Sequence, residues 1–533
     1  MTRLRSAALA AATLIPLTAL ALAPLPVAAE EEATPVFSFV GRYANGGAEV
    51  SAVLGNKLFV IGEGTTLDVV DISDPALPVL LRTVDLAAYG ASISSVATTP
   101  TGVGAARVAV TLPAADKTAP GTVVLLNPGG SPLRSAQVGA NPDMVTFDES
   151  GERVLVANEG EPDSYAPKDD AEGSVSVVDV ALLLTKKTAP SAVTTIGFTD
   201  FNIGASRHDE LPLGTRVFGP GATVAEDLEP EYITVDGDRA YVTLQENNSI
   251  AELDLVTNSV VAIRALALKD HSLPGNGLDA SDRDSAINIR NWPIFGAPLP
   301  DGIASYTIDG ETYLITANEG DARADWPGYA EERSFAQLKP LLDPAEFTPA
   351  EIAALEQRAA LGRLNFTRAS GDADGDGLYE QLVAFGTRSV SIWATDGELV
   401  GDTGDDLEQA TAVAIPGNFN ATNDANNFDN RSDNKGPEPE GVAVGEIDGR
   451  SYAFVALERP GGFAVFDVTD PGAPTLVQYV TSRDFTVSPT SGATDSGPEV
   501  IHFVAATDSP TRVPLVILNN EISHTVAIFS LAP

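Results

Sequence analysis

The sequence predicts an all-β fold, a seven-bladed β-propeller with a small helical insertion, and three observations carry that prediction. Short β-rich runs recur with a shared ending, a motif of paired acids precedes them, and the chain can bury one large core. Its 533 residues are 44% apolar and 20% charged, which excludes a disordered tail.

The shared ending is a Val-x-Asp step followed shortly by proline. Val69-Val70-Asp71 leads to Pro75, and Val465-Phe466-Asp467 leads to Pro471. Ser174 to Asp179 and Ile250 to Asp254 repeat the unit without the proline. Each alternates with a period near two, as a half-buried strand does.

The second motif reads Pro, acid, apolar strand, turn, apolar strand, glutamate. Its five copies pair Asp143 with Glu159, Glu231 with Glu246, Asp301 with Glu319, Glu440 with Glu458 and Glu499 with Glu521. Two degenerate units precede them, from Glu49 to Glu63 and from about Ser95 to Leu112, which makes seven. A strand from Val36 to Val40 is expected to complete the last blade around Val526 to Phe529. A pair of β-sandwiches is the alternative, and it would leave the recurring acids unexplained.

Two stretches depart from the repeat. Residues 181–225 form a Gly/Pro-punctuated excursion, and residues 320–365 turn helical, with Thr348-Pro349-Ala350-Glu351 as a capping box carrying proline at its first turn. Insertions on a rigid scaffold line a binding face or decorate a blade edge.

Residues 1–29 carry Arg3 and Arg5, an apolar stretch and small residues at Val27-Ala28-Ala29, the pattern of a secretory signal cleaved after Ala29. An uncleaved anchor is the alternative, weakened by Pro24 and Pro26. Residues 30–533 are then one propeller domain, secreted, with no membrane span and no recognisable C-terminal anchor.

Acids outnumber bases 74 to 32, and a net charge of −42 repels a polyphosphate backbone, so nucleic acid is excluded as a partner. The absence of cysteine removes disulfides, thiolate metal sites and a cysteine nucleophile. Any metal must bind mainly through oxygen.

Antiparallel pairing sets the two acids of each copy side by side at one end of a blade. Repeated around a ring, the ten acids named above converge near one mouth of a central channel. So many carboxylates cannot all be ionised together without cations, and the ligand set, with amide oxygens from Asn158, Asn318 and Asn520, suits calcium or another hard divalent metal. The plainer reading has each acid accept backbone N–H groups at a strand entry.

A second candidate is Asp372, Asp374 and Asp376 with Gly377 at position 6 and Glu380 at position 9, the start of a calcium loop. Position 12 is Val383, so it is not an EF-hand, and an empty acidic turn is the alternative. Two polar runs, residues 269–284 and 424–436, are expected to feed the mouth. They offer His271 as a general acid or base and Arg431 and Lys435 as phosphate- or carboxylate-binding cations. Solvated loops are the alternative, favoured for His271.

Lys269-Asp270-His271-Ser272, Gly275-Asn276-Gly277-Leu278-Asp279, Thr316-Ala317-Asn318-Glu319-Gly320-Asp321-Ala322-Arg323 and Lys435-Gly436-Pro437-Glu438-Pro439-Glu440-Gly441 resemble the choice-of-anchor I family, also labelled mesenchyme-specific cell surface glycoprotein-like. The resemblance runs from about Gly41 to Leu531 and implies a YVTN/WD40-like propeller. Related domains of atypical bacterial alkaline phosphatases imply a link to extracellular phosphate esters, without a catalytic set to carry over. Two functions remain. One is a secreted calcium-binding scaffold whose acidic mouth takes a small anionic or polyhydroxyl ligand or a cell-surface component. The other is a calcium-dependent, alkaline phosphatase-like phosphoesterase.

Overall fold

A computed structural model describes residues 34–185, 190–324 and 326–532. The expected leader, residues 1–29, lies outside the described residues. Among the described residues, seven four-stranded antiparallel sheets follow one another along the chain. Their first strands are Ser51–Leu54, Ser95–Thr98, Pro142–Phe147, Pro230–Asp236, Ile303–Ile308, Pro439–Ile447 and Pro498–Val504. Each first strand lies beside the next, and Pro498–Val504 again touches Ser51–Leu54, the arrangement of a β-propeller.

Burial explains the strand compositions. Second strands such as Arg153–Asn158 and Leu515–Asn520 are almost wholly buried, because sheets pack against both of their faces, and they read as continuous apolar runs. The outer strand Val79–Asp85 is mostly exposed and alternates less clearly. The core is a set of wedges between sheets. Phe59 and Leu67 meet Val96 and Val110 between the first two, and Leu58 and Val60 meet Ile517 and Ile528 between the last and the first.

The Val-x-Asp runs are third strands, Thr66–Asp71, Ser174–Asp179, Ser249–Asp254 and Phe463–Asp467. The N-terminal strand Phe37–Ala44 pairs antiparallel with Thr525–Leu531, Phe39 opposite Phe529, as the sequence led us to expect. Phe37 stacks edge-on with Phe454 and Phe463 of the sixth sheet, which fixes that strand in place.

Both insertions need correction. Residues 181–225 include Val193–Gly197, the fourth strand of the third sheet. The helical stretch is not an isolated decoration. Thr348 and Glu351 cap the helix Pro349–Leu355 reciprocally, as expected. The surrounding residues join a five-stranded mixed sheet of Lys269–Asp270, Phe295–Ala297, Val383–Phe385, Asn365–Thr367 and Glu332–Ser334. Its own core gathers Leu278, Trp292, Phe335, Leu361 and Phe366. Residues 269–284, expected as a polar loop feeding the mouth, thus belong in part to a packed accessory layer. No helix among the described residues is long and apolar enough to cross a membrane.

Candidate cation site

The site begins with a repeated irregularity. In four sheets the pairing register slips just inside the opening proline, between Pro142 and Val145, Pro230 and Ile233, Pro439 and Val442, and Pro498 and Ile501. A bulge there leaves residues unpaired and re-aims their side chains. Proline suits the first strand position because its missing N–H forfeits no ladder bond there. Across the hairpins Pro142 pairs with Asn158, Pro439 with Leu457 and Pro498 with Asn520. Glu159, Glu458 and Glu521 therefore follow directly opposite the strand entries of Asp143, Glu440 and Glu499.

A cavity of about 300 Å³ opens among these ends. Glu49, Asp143, Glu231, Asp301, Glu440 and Glu499 line it, one beside the first strand of each of six sheets. The second sheet supplies Ser94 and Ser95 instead. Glu319 and Glu458 also border the cavity, whereas Glu159, Glu246 and Glu521 are not among its lining residues. Glu49 opens the first degenerate unit, with Ala48 where the proline would be, and sequence reasoning counts it as a repeat but not among the ring acids.

Glu319, Glu440 and Glu458 bring carboxylate oxygens within 4.8 Å of one another. Lys435 stands against this trio, its Nζ 2.5 Å from Glu319, 3.3 Å from Asp321 and 3.3 Å from Glu438. Arg459 donates through Nε to Glu438 at 2.7 Å and pairs through Nη1 with Glu458 at 3.0 Å. Arg431 also binds Glu438. Burial pushes the Glu438 carboxyl up, but Lys435, Arg431 and Arg459 outweigh it and hold it well below the usual range. Arg431 and Lys435, read from the sequence as cations open to a phosphate or carboxylate ligand, are thus engaged by the chain's own acids.

Burial governs the remaining carboxyls, and for Glu458 it outweighs the Arg459 pairing. Burial, then Glu521 and Asp143, raise Glu49 to about 7. Burial, then Glu161, raise Asp143 to about 6, although Glu231 hydrogen-bonds it. Burial lifts Glu458 to about 8. Glu231, Asp301, Glu440 and Glu499 stand well above the ordinary range, through burial first and neighbouring acids second. Glu440 is only 9% exposed, and its buried Oε2 has no hydrogen-bond partner. An orphaned buried carboxylate oxygen is costly, and a cation removes the cost.

Other candidates sit apart. His271 is buried in the accessory layer, its Nδ1 2.8 Å from the Asn276 carbonyl, and burial followed by Lys269 lowers it to about 3. It does not border the cavity, so general acid or base work there falls away. Asn158 and Asn520 donate within their own sheets, to Ser174 and to Leu518 and Thr525, and the Asn318 amide oxygen accepts from Thr316. Sequence reasoning also missed Arg323, a fully buried hub 2.6 Å from Asp227 and 2.9 Å from Glu229.

The surface loop gathers oxygens of Asp372, Asp374, Asp376 and Glu380 within 4.8 Å of one another. Gly375 and Gly377 donate backbone N–H groups to Asp372, Asp376 to Asp374, and Ala373 to Glu380. The chain thereby folds the four carboxylates inward on its own backbone.

A sequence profile of the choice-of-anchor I domain matches residues 52–471. A mesenchyme-specific cell surface glycoprotein of Strongylocentrotus purpuratus is 30% identical over 331 residues, 55% of this chain and 42% of that protein. Gigasin-3a of Magallana gigas is 29% identical over 192 residues, 34% of this chain and 67% of its own length. The chain therefore spans under half of the first relative. Among solved structures, Kuenenia stuttgartiensis hydrazine synthase aligns at 13% identity and a TM-score of 0.46, over 91% of this chain and 95% of that one. The Cps50 (Swd1) β-propeller domain of Myceliophteria thermophila aligns at 10% identity and 0.44, over 93% of this chain and 100% of that one.

Proposed function

The chain belongs to the choice-of-anchor I domain family, and from that premise we propose that it is an extracellular binding or scaffold protein, a seven-bladed propeller holding a divalent cation in its ring of carboxylates. The observation that carries this reading is Glu440, buried with an unpartnered oxygen beside Glu319 and Glu458. Oxygen donors in this number favour calcium, which takes 6–8 of them in loose geometry. The cation would expose remaining coordination positions to a small anionic or polyhydroxyl ligand, or to a cell-surface component. The surface loop at Asp372 is proposed as a second, structural calcium site. The relative is, by its name, a cell surface glycoprotein, and the leader-like residues 1–29 agree with export.

Calorimetric titration of calcium into metal-stripped protein tests the reading. Glu319→Gln with Glu440→Gln should abolish one site, and Asp374→Asn should abolish the other independently. Unchanged stoichiometry in the double variant refutes the ring site. Turnover of a chromogenic phosphomonoester or phosphodiester, restored by calcium and lost in the ring variant, would replace the scaffold reading by the hydrolytic one.

A further inference from the structure

One aromatic side chain, Tyr232, lines the cavity together with the ring acids. The residues directly after the ring acids are Val50, Met144, Tyr232, Gly302, Gly441 and Val500. Two neighbouring positions can carry no side chain at all. A Cβ on Gly302 would lie 2.6 Å from the Glu440 carbonyl oxygen, and one on Gly441 would lie 2.4 Å from that of Glu499. Tyr232, on the first strand of the fourth sheet, carries a large side chain where those two positions carry none.

Tyr232 borders both the acid-lined cavity and a second cavity of about 360 Å³ walled by residues such as Val53, Val96 and Phe503. Its backbone N–H and carbonyl are engaged by Thr243. Among the described residues, its hydroxyl has no protein hydrogen-bond partner. Burial, then Asp301, Asp143, Glu499 and Glu440, hold the phenol protonated, and these four acids come from four different sheets. Bordering one cavity with first-strand residues of the first, second, third and seventh sheets and the other with acids of six sheets, the Tyr232 side chain reaches into the inner space of the ring. The independent sign that something is missing there is the orphaned Oε2 of Glu440.

We propose that Tyr232 supplies a neutral oxygen ligand to the cation held at Glu440, closing the site from below and separating it from the apolar cavity. This rests on the carboxylate-ring reading. It implies that the ligand approaches only from the acidic side, and that Tyr232 sets the cation on the inner axis of the ring.

Terbium, which takes calcium's oxygen ligands and emits when a nearby tyrosine is excited, provides the test. The full chain would carry Asp374→Asn and Asp376→Asn throughout, to silence the surface loop beside Tyr379. In that background, terbium should give tyrosine-sensitised emission that calcium displaces. Tyr232→Phe keeps the ring's packing, so the metal-free melting temperature should hold. The variant should lose most of the emission and bind calcium roughly tenfold more weakly, the scale seen when a metal's supporting group is removed. Retained emission, or lost emission with unchanged calcium affinity, overturns the ligand role while leaving the ring reading standing. No terbium or calcium binding in the loop-silenced parent brings down the ring reading itself.

Discussion

Replacing Lys435 by methionine should weaken the metal-free protein and tighten its grip on calcium. The ammonium is buried and meets Glu319 at 2.5 Å and Asp321 and Glu438 at 3.3 Å. Removing one partner of a buried ion pair costs about 3–5 kcal/mol, partly relieved because Glu319 can take up a proton. Calcium bound to Glu319 would sit about 2.4 Å from a carboxylate oxygen, and so about 5 Å from the ammonium. At that separation a divalent and a monovalent cation repel by about 1.7 kcal/mol even at the dielectric constant of water. Lys435→Met should therefore bind calcium on the order of tenfold more tightly. At a fixed calcium concentration well above Kd, it should regain about 1.4 kcal/mol more than the wild type does. Calorimetry gives the affinity, and denaturant unfolding in chelator and in calcium gives the stability. Equal or weaker affinity in the variant would show that Lys435 does not compete for the cation, and that the trio of Glu319, Glu440 and Glu458 does not hold it.

Three further outcomes are expected. Asp143 at about 6, Glu49 at about 7 and Glu458 at about 8 all lie above their unfolded values near 4, so the folded state binds more protons between pH 4 and 8. Metal-free stability should fall as pH rises through that window, while calcium affinity rises because binding displaces those protons; melting scans in chelator at pH 5.5 and 8.5 check the first sign, and a higher melting temperature at pH 8.5 contradicts it. Gly441→Ala places a Cβ 2.4 Å from a backbone oxygen that cannot move aside easily; it should cost about 1–3 kcal/mol and lower calcium affinity by shifting Glu440, and a variant with wild-type melting and binding would refute the close-approach argument. Asp374→Asn on the exposed loop should leave metal-free melting unchanged but abolish calcium protection of residues 371–381 against limited proteolysis.

The sheets were legible because their signals are local. Proline followed by an acid marks a strand entry that bulges, and Val-x-Asp marks a third strand, so both survive irregular spacing. Antiparallel pairing predicted ten acids at one mouth; the five that follow the prolines do line the cavity, but of their partners only Glu319 and Glu458 do. What sequence could not supply was the pairing of charges across distant segments. Lys435 and Arg431 looked free in a polar run; Glu438, close by in the sequence, engages both, whereas Glu319 reaches Lys435 only because distant segments meet. His271 stood out for scarcity, whereas its surroundings, a mixed sheet with a parallel pair between Phe295–Ala297 and Val383–Phe385, leave no periodic trace. Tyr232 gave no signal by itself; it acquires meaning from the two cavities it borders.

The pairing of Phe37–Ala44 with Thr525–Leu531 makes the order of assembly matter. Phe37–Ala44 is made long before Thr525–Leu531 and must wait for it. Bringing such distant ends together costs about 5–6 kcal/mol in the length-dependent entropy alone, repaid by Phe37 among Phe454 and Phe463 and by Phe39 against Phe529. Until it is covered, Thr525–Leu531 is an open template. A second copy's Phe37–Ala44 fits it equally well. Intramolecular closure prevails only while the tether keeps the local concentration of its own strand above that of its neighbours', so crowding during synthesis or refolding should favour strand-exchanged dimers, each whole and each borrowing the other's first strand.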